Sequence, residues 1–480
     1  MSHDVIVIGA GVNGMVAALL LAKSGKRVLV LERRTEPGTL HETGWVPPSV
    51  ARELGLAERG LAASLPDPWI TVPLDGGGRL ELSHDVAQSA AAIHRVSAKD
   101  AAKWPTFCAR MHRLAGVLAL LYEQPAPDVE TRELGELLRM GLLGLKVRRL
   151  GKQAVIDLLR TLPMSASDLL DEWFENDALK GTLGALAVRH LKQGPRSGGT
   201  MFNLLHHHVG SAPGVFRQGT SNVRQVLEGL PGVDVRRGAA VRRIAVSHGA
   251  VNAIELASGE SIATQTVVSG ADPRTTLLEL LAPGWLDPDF VRAVRNIKCR
   301  GIAAQVALTL DGPPGMPALV IAPSLRYLER AYDDAKYGRV SEQPYLETQP
   351  DGNTLVAHVQ YVPHAPADGA WDASRRDQLG ELVISLLEPH LPGLRQRLRH
   401  TSVTAPHDLS AQTGLTEGHA YHGEHTLDQI LFMRPVAGWS RYRTPVRGLY
   451  LCGSGTHPGG GILGGPGRLA AREVLEDGAP

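Results

Sequence analysis

Residues 4 to 34 read DVIVIGAGVNGMVAALLLAKSGKRVLVLERR, and no other stretch limits the fold so tightly. Val5 to Ile8 form an unbroken apolar run, the pattern of a strand buried on both faces of a parallel sheet. Gly9, Gly11 and Gly14 follow at G-x-G-x-x-G spacing. Met15 to Lys23 then turn helical, and Lys26 to Leu31 make a second buried strand that ends on Glu32. Each glycine has a mechanical task. Gly9 permits the tight turn, Gly11 lets backbone approach a pyrophosphate, and Gly14 lets the helix pack close on the strand.

The first turn of such a helix offers free N–H groups and the positive end of its dipole to phosphates. Glu32 stands 18 residues past Gly14, near the ~20 expected for the acid that bonds the adenosine ribose. Strand, glycines, helix, strand and acid fall in order inside one βαβ unit, which is the context a dinucleotide site requires. A carboxylate at Glu32 repels a ribose 2′-phosphate and so favours FAD or NAD over NADP. Arg33 and Arg34 temper that preference without reversing it.

At 480 residues the chain exceeds one ordinary core, and two intimately joined domains are expected. A formal net charge of +1 gives no reason to expect nucleic acid as a partner. Cys108, Cys299 and Cys452 lie far apart and form no C-x-x-C, which excludes a local redox dithiol and fits a reducing compartment. The first strand begins almost at once, and no apolar run reaches the ~18 residues that span a bilayer. The expected location is cytoplasmic.

After Arg34 the loop TEPGTLHETGWVPPSV leads to a short helix at Ser49–Leu56, and from there to about Phe202 the chain reads mostly helical. Ser97 and Asp100 match a helix-opening pattern of hydroxyl cap and following acid, and Ser167 with Asp171 repeat it. Leu134 to Leu162 is amphipathic and basic, with Arg139, Lys146, Arg148, Arg149, Lys152 and Arg160. It reads as solvated helices with core-facing leucines, or as a peripheral contact with the inner face of a membrane. His206, His207 and His208 stand in a row; consecutive side chains diverge, so no metal is expected there. Strand character returns over Val233–Arg236, Ala240–Val246, Ala250–Leu256 and Thr266–Ser269.

The C-terminus supplies a second anchor. Gly448 to Gly453 make a short buried strand, SGTHPGGGILGGPG follows, and a helix runs from Arg468 to Glu476. Glycines cost chain entropy on ordering, so a bare loop between strand and helix implies close approach of backbone N–H groups to a flat or anionic ligand.

Together these pieces resemble the flavin-dependent amine oxidase and phytoene desaturase superfamily. Within it the chain is similar to the phytoene dehydrogenase-like branch that includes pyridine nucleotide-disulfide oxidoreductase domain-containing protein 2. The resemblance runs nearly end to end, through the N-terminal fingerprint, SGADPRTTLLELL (residues 269–281), GHAYHGEHTLDQILFMRPVAGWSRYRTP (418–445) and GLYLCGSGTHPGGGILGGPGRLAA (448–471). It implies an α/β fold with a discontinuous Rossmann-type FAD-binding domain and an interleaved α+β substrate domain. The expected boundaries are 1–75, 215–275 and 440–480 for the FAD domain, and 76–214 with 276–439 for the substrate domain, which carries a mainly helical insertion. By match to the family's motifs, Gly9, Gly11, Gly14 and Glu32 hold the ADP half of non-covalent FAD, and Arg33 or Arg34 assists at the pyrophosphate. Val241 falls where backbone meets the adenine, and Gly453, Ser454, Ile462 and Leu463 fall beside the ribityl chain and flavin ring. Two departures stand out. The family's Gly-Gly pair is Gly38-Thr39 here, and its Arg-Gly-Gly is Arg217-Gln-Gly-Thr220.

The implied chemistry is two-electron dehydrogenation of a C–C or C–N bond in a small, hydrophobic organic substrate. A diffusible acceptor such as dioxygen or a quinone then takes the electrons, because the chain has no second nucleotide fingerprint and no redox disulfide. A redox-neutral isomerase and a flavin-binding protein without turnover are the alternatives. His457 in the THPGG turn is the first catalytic candidate, followed by Tyr421 and His422, with Glu424 and Arg434 behind them. No G-x-S-x-G elbow supports a hydrolase.

Overall fold

The computed structural model describes residues 3–36, 42–74, 76–127, 134–149, 152–315 and 318–478. The opening strand, Val5–Ile8, lies at the centre of a five-stranded sheet in which every pairing is parallel. Val28–Leu31 and then Asp234–Arg236 extend the sheet on one side, and Val267–Ser269 and then Leu449–Leu451 on the other. Four of the five are buried throughout, which is why they read as continuous apolar runs rather than alternating ones. The sheet thus recruits its strands from three distant parts of the chain, the discontinuous Rossmann-type arrangement that the resemblance implied.

Helix Val12–Lys23 is apolar nearly all round because it is covered on more than one side, by the sheet and by the closing helix Gly465–Asp477. Glycine makes that approach possible. A Cβ on Gly14 would sit 2.1 Å from the Gly9 carbonyl oxygen, and one on Gly467 would sit 2.0 Å from that of Asn13.

A second five-stranded sheet is antiparallel, in the order Val320–Ile321, Leu346–Asp351, Thr354–Gln360, Ala303–Leu310, Leu398–Thr404. Its period-2 alternation divides two environments. Leu346, Leu355, Ala357, Val359, Val306 and Leu308 form a core with helix Ala373–Leu387. The opposite face carries Glu347, His358 and Gln305.

Between residues 86 and 208 the described residues are mostly helical, as the sequence suggests, and pack around Trp104, Phe107, Phe174 and Phe216. Two details differ from the sequence reading. A hairpin, Ile70–Pro73 with Arg79–Leu82, precedes the helices. The helix Ala166–Trp173 is capped by Ser165, whose side chain accepts from the Asp168 N–H, rather than by Ser167. Ser97 does cap its helix, accepting from Asp100 N–H at 3.1 Å. In helix Leu134–Arg149 the described leucines are exposed rather than core-facing, Leu134 at 85 % and Leu138 at 69 %. The side chains of Arg139, Lys146, Arg148 and Arg149 lie outside the described residues, as do Gly38 and Thr39. Among the described residues no helix is long and apolar enough to cross a membrane.

Candidate active site

The fingerprint opens into a cavity of about 570 Å³. Gly9, Gly11 and Gly14 line it at one end, with Glu32, Arg33, Arg34 and Val241 beside them. A Cβ at Gly9 or Gly11 would meet nothing within 4 Å, so these two positions leave open space where a ligand's phosphates can come close to backbone. Glu32 is buried, and its carboxylate braces the turn. Oε2 accepts the Ala10 N–H at 2.9 Å and Oε1 accepts the Arg34 N–H at 3.0 Å.

The far end is built by the C-terminal glycine loop. Ser454 and Leu463 line the cavity; Gly453 stands just behind, where a Cβ would lie 2.6 Å from the Gly270 oxygen. Ile462 is buried and pairs with Trp45 instead of lining the space. Asn13, inside the fingerprint, fastens the two ends together. Its Nδ2 donates to Ser454 Oγ at 3.2 Å, and its Oδ1 accepts the Gly464 N–H at 2.9 Å. Sequence reading missed Asn13, Arg224 and Asp272. Arg224 pairs with Glu42 (Nε to Oε1, 2.8 Å), and both line the cavity. Asp272, within the 269–281 motif, is buried and accepts from Thr275 and Thr416 through both oxygens.

Of the three catalytic candidates, His422 lines this cavity; His457 and Tyr421 do not. His422 Nδ1 is buried without a hydrogen-bond partner. Burial holds the ring's pKa down at about 4, against the pull of Asp272 in the other direction. His457 Nε2 instead meets the Leu121 carbonyl at 3.2 Å, and Tyr421 OH meets His207 Nε2 at 3.2 Å. The histidines at 206–208 reach three separate sets of partners: Tyr122 and Gly460, Tyr421 and Leu186, and Val215. Among the described residues no cluster is arranged to hold a metal ion.

Arg434 is the keystone behind His422. It is buried and has no carboxylate partner among the described residues. Its guanidinium donates to the carbonyls of Tyr421, Gly423, Glu424, Gln429 and Ser454 at 2.7–3.2 Å, tying the 421–429 loop to the glycine loop. Burial pulls its pKa down to about 10. Glu424 is paired elsewhere, with Arg300.

The Arg217–Thr220 departure also has a place. Gln218 is buried, donates weakly to His206 and Val209, and sits 3.2 Å from where a Gly461 Cβ would be. A second cavity of about 290 Å³ lies on the face of the antiparallel sheet opposite the Leu346 core, and Leu409 and Ala420 line both cavities.

Residues 45–475 match the family described as flavin containing amine oxidoreductase, and residues 7–53 match the NAD(P)-binding Rossmann-like domain. The chain is 31 % identical to pyridine nucleotide-disulfide oxidoreductase domain-containing protein 2 of Rattus norvegicus, across 99 % of this chain and 94 % of the rat protein. It is 24 % identical to the neurosporene-forming phytoene desaturase of Cereibacter sphaeroides, across 99 % and 94 %. An oxidoreductase structure from Methanosarcina mazei superposes with a TM-score of 0.58 at 16 % identity, covering 98 % of this chain and all of that one.

Proposed function

The chain belongs to the flavin containing amine oxidoreductase family and uses FAD, and from that premise we propose that it dehydrogenates a C–C or C–N single bond of a small, hydrophobic organic substrate. One observation carries the reading: a single cavity runs from the glycine fingerprint and Glu32 to Ser454, Leu463 and the unpartnered His422. The residues fit the cofactor, since Gly9 and Gly11 leave room at the turn and Glu32 retains lone pairs beyond the two it gives to backbone. The similarity to a phytoene desaturase supports dehydrogenation as the chemistry. The positions of the parallel strands support a cofactor domain of residues 1–75, 215–275 and 440–480.

Bound FAD supplies the two-electron acceptor. The chain's own residues do the rest. Asn13 holds the fingerprint against the C-terminal loop, and Arg434 fixes the backbone on which His422 sits. His422 is neutral at pH 7, so one of its ring nitrogens accepts a hydrogen bond or a proton from the substrate. Cys452 is buried in the core beneath the loop, with its thiol pushed up to about 12 by burial, which supports non-covalent attachment. The three cysteines are free and buried, so electrons leave to a diffusible acceptor, dioxygen or a quinone. The outward leucines of Leu134–Arg149 support a peripheral apolar contact.

Anaerobic mixing with candidate amines and unsaturated or saturated hydrophobic acids tests the proposal. A substrate should bleach the flavin once and leave product equal to enzyme. Anaerobic turnover to an isomer of unchanged mass would make the protein an isomerase, and bound flavin that no candidate reduces would make it a binding protein.

A further inference from the structure

The second cavity contains a charge imbalance that the dehydrogenation chemistry does not use. Its floor is one row of side chains across four paired strands: Glu347, His358, Gln305 and Thr404 stand opposite one another in register. Arg189 and Arg217 reach over that row to the single acid. Arg217 Nη2 lies 3.0 Å from Glu347 Oε1, and Arg189 Nε lies 3.6 Å from Oε2. Tyr345 donates to Glu347 Oε2 at 2.7 Å, and Gln349 accepts from Arg217 at 2.8 Å.

Two guanidiniums therefore share one carboxylate, and the other ionisable groups lining the space are neutral. Burial drives His190 and His419 down and holds His358 at about 4. The wall carries a net charge of one positive unit in a site where Arg217 is only 4 % and Glu347 2 % exposed. Arg189 Nε and Arg217 Nη1 are both buried with no hydrogen-bond partner. Excess charge in such a place destabilises the fold unless something neutralises it. The remaining lining is largely apolar, including Ile302, Val356 and Leu409. Leu409 and Ala420 line both this space and the FAD cavity; Gly418 and His419 line only this one, and His422 only the other.

We infer that this cavity binds the carboxylate of the substrate, which makes the substrate an apolar organic acid with one negative charge. The anion lies against Arg189 and Arg217, and the apolar body extends past Leu409 and Ala420 toward His422. A monoanion brings the wall to neutrality. A dianion such as a phosphate would leave an unbalanced negative charge beside Glu347. This inference rests on the proposed dehydrogenation only for the direction in which the substrate points.

The test is calorimetric binding to the FAD-loaded protein, which needs no turnover and so separates this inference from the reaction itself. Hexanoate and benzoate should bind, and hexanamide and benzamide should bind about 100-fold more weakly, since they lack the charge-assisted bonds. Glu347→Gln removes the competing acid and should tighten hexanoate about 10-fold; Arg217→Gln should weaken it by at least as much. Arg189→Lys keeps the charge on a shorter side chain, so it should retain part of the affinity. Equal binding of acid and amide, loss of affinity in Glu347→Gln, or hexyl phosphonate bound more tightly than hexanoate would each overturn the assignment.

Discussion

Glu32 is the position where the fold and the proposed cofactor site draw on the same atoms, and replacing it separates the two. A carboxylate that served only the ribose could be removed without consequence for the apoprotein. Here one oxygen accepts the Ala10 N–H at 2.9 Å and the other the Arg34 N–H at 3.0 Å, and Ala10 is buried. Hydrogen bonds to a charged group contribute roughly 1.5–3 kcal/mol each. Glu32→Ala removes two of them and strands a buried donor, so the apoprotein should lose about 3 kcal/mol, the low end of the sum because water can enter beside Arg34. The ribose hydroxyls lose their acceptor as well, worth another ~3 kcal/mol, or about a 100-fold rise in the FAD dissociation constant. Glu32→Gln keeps one acceptor oxygen but turns an amide N–H₂ toward a backbone N–H, so both effects should be roughly half as large. Urea denaturation of apoprotein measures the first quantity, and titration of flavin fluorescence measures the second. Unchanged FAD affinity with reduced stability would mean that Glu32 braces the turn without touching the ribose. If neither changed, the Ala10 and Arg34 bonds would be energetically idle and the reasoning wrong.

Further expectations concern the histidines and the outer helix. His422→Asn should bind FAD normally but slow anaerobic flavin reduction by about 100-fold, whereas His457→Asn, which loses its bond to Leu121, should lower the melting temperature and leave the reduction rate within a few fold. Burial holds His206, His208, His358, His422 and His457 near a pKa of about 4. In the unfolded chain a histidine takes its proton near pH 6.5, so between 6.5 and 4 the unfolded state binds more protons; stability is full above that window and falls by about 1.4 kcal/mol per pH unit for each such histidine as the pH drops through it. Urea midpoints at pH 7.5 and 5.5 check this, and a midpoint that holds steady or rises on acidification would contradict it. Leu138→Asp with Leu142→Asp should abolish co-sedimentation with anionic phospholipid vesicles; wild-type protein that stays in the supernatant removes the peripheral contact altogether.

How much of this was readable in the sequence depended on how local each signal was. The fingerprint, Glu32 and the closing glycine loop are contiguous patterns, and the strands around them are buried on both faces, so unbroken apolar runs marked them directly. Ser97 as a cap needed only its own turn. The cap at Ser165 was misplaced by two residues: Ser167 and Asp171 lie four apart and inside the helix, whereas Ser165 and Asp168 have the three-residue spacing of the pattern. The hairpin at 70–82 had a signal in the alternating RLEL and the glycine turn before it, but lay next to long helical stretches. His457 and His422 look equivalent as loop histidines. What distinguishes them is a carbonyl from Leu121, 336 residues away in sequence, that occupies one and not the other.

The charged cavity lies beyond such reading for a stricter reason. Arg189 ends a helix, Arg217 sits in a loop, and Glu347 is on a strand, and no spacing relates them. Their meeting depends on strand register, since a slip of one residue would turn Glu347 and Gln305 into the Leu346 core and bring apolar residues to the cavity. Arg217 was visible only as the start of a departure from Arg-Gly-Gly. The structure gives that departure a use: Gln218 fills the space beside Gly461, while the arginine preceding it turns the other way, to Glu347 and Gln349. The departure keeps the arginine itself, and its place against Glu347 in the second cavity is consistent with a substrate whose recognition lies in its charge, with the reacting carbon at the apolar end.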